Sequence, residues 1–177
     1  MISYLHHFFA EYAIGVTNVH LNADNSAGQN KNNLKLFYLA YRVACGLHKS
    51  VHLQFMLAGH TKFSPDWCFG LMDLSPAGRD DQGEVCVETY DWKSFLSSGK
   101  KVSNIQKCHH FTFTHDEPGV VYVREHIDSE PVRFVLFSKP VQGTPSVIQA
   151  PGLDQTRQSY LFKGQLHHRG LAVNSIK

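Results

Sequence analysis

The chain has 177 residues, of which 42% are hydrophobic and 18% charged. That balance excludes an intrinsically disordered segment and is enough for one domain with a real core. A net charge of +2 is too small to argue nucleic-acid binding from charge alone, although a locally basic face stays open. Cys45, Cys68, Cys86 and Cys108 are widely spaced with no CxxC pair. This excludes a zinc ribbon and a compact disulfide framework, and reads most simply as reduced thiols in an intracellular protein.

The opening MISYLHHFFAEY has no basic start, and His6, His7 and Glu11 interrupt its apolar run, so it does not read as a signal peptide. No stretch approaches the roughly 18 apolar residues of a membrane span. Leu5, Phe8, Phe9 and Tyr12 instead mark one face of a helix over residues 3–14, with Ser3 as cap and Gly15 ending the pattern. Residues 17–24 alternate Val19, Leu21 and Ala23 with His20, Asn22 and Asp24, which predicts a strand. A turn-rich segment, Asn25 to Gln29, follows. Residues 30–46 predict a second helix, apolar on most sides and therefore buried, with Gly46 just past its end. Val51–Leu57 predicts another strand. Strand, helix and strand in this order imply parallel neighbours joined by a right-handed crossover.

Ser64 and Pro65 predict a third helix through Leu71, and residues 75–83 a polar loop. Beyond it lie strand candidates at 84–89, 111–114, 120–124 and 132–137. A helical turn is expected at 91–96, an extended proline-rich stretch at 138–152 and a terminal helix at 153–168. The expected architecture is α/β: a parallel βαβ core over 1–74, a loop at 75–83, an α+β extension over 84–150 and a helix with a tail over 151–177.

In open parallel sheets functional groups gather at the carboxyl ends of the strands. Asp24 and His60 stand at such ends, and Asp66 opens the helix that follows. Two carboxylates converging on one sheet edge can hold Mg²⁺ or Mn²⁺, hard cations that clamp a phosphodiester in two-metal nucleases. Asn25, Gln29, Asn30 and Asn32 can bind phosphate, ribose or base edges, and Lys31 and Lys62 can contact phosphates. The plainer reading stands beside this. An Asp after a strand also serves as a turn former or cap, and an acid in a first helical turn also serves the helix dipole. Cys108, His109, His110 and His115 do not have the spacing of a common zinc site. The chain has no P-loop, GxGxxG or GxSxG. The twelve histidines read mainly as dispersed surface or partly buried side chains.

The strings VHLNADNSAGQNKNN (19–33) and AGHTKFSPDWCFGL (58–71) resemble the best-marked motifs of an uncharacterised domain in transposon-derived animal proteins. That domain is related to DDE-type transposases with a ribonuclease-H-like fold. The resemblance continues through TYDWKSFL (89–96), HHFTFTHDEPGVVYV (109–123) and QAPGLDQTRQSYLF (149–162). It implies a partial ribonuclease-H-like domain, with Asp24 and Asp66 matching the second and third acids of a metal-binding triad and His60 as a neighbouring motif residue. It also implies DNA as a partner and a nuclear setting.

Two departures shape the expectation. The first acid of the triad belongs on an earlier strand, which this chain does not supply, and Ser75–Gly83 stands where the family has a longer insert. A truncated gene copy, a partial gene model or a domesticated fragment, inactive or nearly so, is therefore expected. Any Mg²⁺ or Mn²⁺ binding should be weak, and an exposed sheet edge should be able to pair with a partner chain or a second copy. The alternatives are a non-catalytic binding or assembly module, or a nuclease that recruits Glu11, Asp73 or Asp91 as its missing acid. If the site is retained, the Asp24 and Asp66 carboxylates should lie within roughly 8 Å of each other, sharing metals about 3.5–4 Å apart.

Overall fold

The computed structural model describes residues 2–25, 30–56, 87–139 and 141–148. Helix α1 runs Ile2–Glu11, strand β1 Asn18–Ala23, helix α2 Asn33–Ala44 and strand β2 Ser50–Phe55. A single-turn helix α3, Trp92–Phe95, precedes a 3-10 turn at Ile105–Lys107. Strands β3 (His110–Thr114), β4 (Val120–Arg124) and β5 (Val132–Val135) complete the set. The segments expected at 64–71 and 153–168 lie outside the described residues. The described part of the strand expected at 84–89, residues 87–89, is not in a strand.

The five strands form one mixed sheet in the order β1-β2-β3-β4-β5. Strands β1 and β2 are parallel, with Val19 opposite Val51 and Ala23 opposite Phe55, and α2 is the crossover between them. The other pairings are antiparallel, with Leu53 opposite Phe111, Phe111 opposite Val123 and Val121 opposite Phe134. Strands β3, β4 and β5, from the stretch expected as an α+β extension, continue the same sheet. Alternation sorts the faces: Val19, Val51, Leu53, Phe55, Phe111, Phe113, Val121 and Val123 are buried in one core.

Helix α2 covers that core face. All its residues from Lys35 to Val43 are buried, the outcome its apolar sequence predicts. The Asn32 side chain caps it by accepting from the Lys35 N–H at 2.9 Å. Gly46, at φ 71°, ends it in the left-handed conformation that costs glycine nothing. Trp92 joins the helices, its ring 4.9 Å from both Tyr38 and His6. Buried Arg42 lies between α1 and α2. It donates to His48 Nε2 at 2.9 Å and the Tyr38 hydroxyl at 3.1 Å, and its guanidinium sits 4.5 Å from the Phe9 ring.

Candidate functional site

The carboxyl end of β1 is where the sequence concentrates its polar groups. Asp24 leaves the strand immediately after Ala23 and is exposed. Its Oδ1 accepts from the Asn30 side-chain amide at 2.5 Å, while Asn30 Oδ1 accepts from Lys35 Nζ at 2.9 Å. Asn30 therefore bridges a carboxylate and an ammonium through the two ends of one amide. Burial holds the Lys35 ammonium below its ordinary range, and the charge of Asp24 partly restores it. Lys35, which was not singled out from the sequence, belongs to this site. The faint signal for it was a lysine at a position that the surrounding leucines and aromatics mark as buried.

Lys31 does the same for the neighbouring turn. It is 1% exposed. Its ammonium donates to Asn25 Oδ1 at 2.8 Å and to the Gln106 carbonyl at 2.7 Å, and lies 5.2 Å from the centre of the Phe55 ring. Burial lowers its pKa, with the Cys108 thiol acting in the opposite sense. Where the sequence reading gave Lys31 a phosphate contact, the structure places its charge inward, tying the turn after β1 to the segment before β3. Asn32 is the α2 cap. Asn33 reaches the same region, its Oδ1 accepting from the Val102 N–H at 2.8 Å.

The structure thus brings together Asp24, Asn25, Asn30, Lys31, Asn32 and Lys35. Gln29, His60, Lys62, Asp66 and Asp73 lie outside the described residues. Of the other acids considered, Glu11 is exposed at the end of α1, and Asp91 Oδ1 accepts from the Ser94 N–H at 3.0 Å, capping its own helix. Cys108 and His115 stand at opposite ends of β3. Among the described residues no three His, Cys, Asp or Glu side chains are grouped to hold a metal. No helix among them is long and apolar enough to cross a membrane.

The donors around Asp24 fit a divalent cation poorly. One carboxylate and two amide oxygens are the hard donors such an ion prefers. Both amide oxygens already accept from lysine ammoniums, however, and the buried Lys35 ammonium, on which the charge of Asp24 acts, opposes a further cation there. The carboxylate accepts from the neutral Asn30 amide, whose oxygen in turn accepts from the Lys35 ammonium, so the charged donor reaches Asp24 through that amide.

In comparisons with known proteins, no curated protein and no solved structure matches the chain. Residues 1–75, which hold α1, β1, α2 and β2, match the family described as a domain of unknown function, DUF7869.

Proposed function

We propose that the chain is a transposase-derived domain of ribonuclease-H-like ancestry whose former metal site at Asp24 no longer catalyses DNA phosphodiester cleavage or strand transfer. The parallel βαβ unit with Asp24 at the carboxyl end of β1 supports the ancestry. The observation that carries the loss of activity is the Asp24–Asn30–Lys35 chain. It puts a lysine ammonium, reached through an amide, where a working site would need room for cations. Mg²⁺ or Mn²⁺ would meet that ammonium and bind weakly. The full chain, incubated with DNA and either metal, should give no cleavage above the level of an Asp24→Ala variant. Metal-dependent cleavage that Asp24→Ala abolishes would overturn the reading.

One observation favours a second role as an assembly module. On β1 the Thr17 and Ala23 carbonyls accept from the β2 side. By the alternation of a parallel ladder, the backbone groups of Asn18, His20 and Asn22 face the other way. Among the described residues no strand pairs with that side. An open edge of this kind accepts another strand, and a second copy of the chain is the simplest partner. Light scattering on the purified chain should then show a dimer, and Asn22→Pro, which removes an edge donor without touching β2, should return it to a monomer. A chain that is monomeric at every concentration would exclude this role.

A further inference from the structure

The two faces of the sheet differ in kind. One is sealed by α2 over the core. The other is polar, and its side chains line up through the strand register. One row runs His20, His52, Thr112, Tyr122 and Arg133, and the next runs Asn22, Gln54, His110 and Arg124. Where the rows meet there is a concavity of about 340 Å³, its polar wall formed by His20, His52, Gln54, His110, Thr112 and Arg124. Among the described residues no carboxylate lines it.

Its parts are held in place. The His20 and His52 rings stack with their centres 4.6 Å apart and 10° between their planes, and Thr112 Oγ1 lies 3.3 Å from His52 Nδ1, which fixes that ring. Arg124 donates one guanidinium N–H to the Ile127 carbonyl at 3.3 Å, and the side chain of Ile127 forms an apolar part of the wall.

We propose that this concavity binds a phosphate-bearing ligand of about nucleotide size. The guanidinium of Arg124 offers a planar fork of donors suited to a phosphate. Gln54 and the histidines add further donors beside it, and among the described residues no acid lines the wall to repel an anion. The volume falls within the range of roughly 300–1,000 Å³ usual for small-molecule sites. The paired imidazoles and Ile127 give a flat, partly apolar wall on which a base can stack. The proposal does not depend on Asp24 or on the ancestry argued above.

The ionisable groups facing the concavity are His20 from β1, His52 from β2, His110 from β3 and Arg124 from β4. His126 and Glu125 follow β4, and the Glu117–Arg133 ion pair lies further along the face. Burial first, and then the charge of His20, holds His52 below its ordinary value. Burial, Arg124 and His126 do the same to His110. A bound anion opposes these effects and should raise both.

The test is a titration of the full chain with inorganic phosphate, AMP and a short oligothymidylate, read from the histidine ring signals by NMR. AMP or the oligonucleotide should bind saturably, perturb His52 and His110 together and move their titration midpoints upward. Arg124→Ala should weaken binding at least tenfold with an unchanged unfolding midpoint. Tighter binding of AMP would identify a free nucleotide as the ligand, and tighter, salt-sensitive binding of the oligonucleotide would identify strand phosphates. Three results would overturn the proposal: no saturable binding of any probe, inorganic phosphate binding as tightly as AMP, or binding that Arg124→Ala and His110→Gln both leave unchanged.

Discussion

Arg42 is a charge buried with neutral partners, and its neighbours determine how it is tolerated. Its Nε–H donates to His48 Nε2, so that nitrogen must carry a lone pair. The proton of His48 is then on Nδ1, 2.8 Å from the Val16 carbonyl that accepts it. A second proton on His48 would remove the acceptor of Arg42 and place two cations side by side. Burial chiefly, and the charge of Arg42 after it, lower the pKa of His48 from its ordinary 6.5, while the Val16 carbonyl pulls the other way. Burial also lowers His6, His52, His109 and His110. For such groups the unfolded chain binds protons at a higher pH than the folded one. The stability they contribute is therefore complete above about pH 6.5 and is lost as the pH falls through the folded-state values. The urea midpoint should fall between pH 7 and pH 5, and less steeply in His48→Gln. A midpoint that is flat or rises toward pH 5 would contradict this arrangement. Nothing in the sequence pairs Arg42 with His48, because the two meet only when the chain turns back after Gly46. The place of Asp24, by contrast, was legible: an alternating strand followed by turn formers puts the acid at a strand end whatever the rest of the fold does.

At the scale of the element, local signals identified what forms and the parallel pairing of β1 with β2, and missed the antiparallel pairings that follow. The end of α2 was legible because Gly46 acts on the backbone next to it, whereas Asn32, read from the sequence as a phosphate- or base-binding side chain, is the N-cap. Strand β4 runs over the residues its alternation predicts. Alternation shows which side chains share a face and is silent about which strand lies alongside. The continuation of β2 into β3, with Val51 opposite Phe113, was therefore not legible, and neither was the polar face it creates. Lys35 was missed for a related reason. A lysine in a helix ordinarily points to solvent, and this one is buried because Asn30 and Asp24 lie over the first turn of α2 to receive it. The same turn provides a test of what Asn32 does. As the N-cap it satisfies an otherwise unpaired N–H, so Asn32→Ala should cost about 0.5–2 kcal/mol and Asn32→Asp much less. Chemical denaturation of the two variants would measure the difference. Equal loss in both would mean that the side chain serves something other than the cap.

At the scale of the whole molecule, the segment that matches the family and the folded unit do not coincide. Residues 1–75 hold the parallel pair and its crossover helix, yet the core they bury is shared with later residues. Phe111 and Phe113 pack onto β2 from one side, Val121 and Val123 extend the same layer, and Trp92, Leu96, Leu136 and Phe137 complete the cluster around α2. Full burial of a large apolar side chain contributes about 1.5–3 kcal/mol, and the net stability of a domain is only about 5–15 kcal/mol. Losing these eight side chains together would remove more than the fold has to spare. It would also open the second edge of β2, whose Leu53 and Phe55 are nearly inaccessible in the intact sheet, as a site for aggregation. Residues 1–75 expressed alone should therefore show neither a cooperative unfolding transition nor dispersed amide signals, whereas the full chain should unfold as one unit. A fragment that folds cooperatively by itself would show that the parallel pair is an independent domain and that β3, β4 and β5 are an addition to it. Failure of the fragment together with one transition in the full chain would mean that the Asp24 turn and the polar sheet face belong to the same cooperative structure, joined where Lys31 bonds the Gln106 carbonyl.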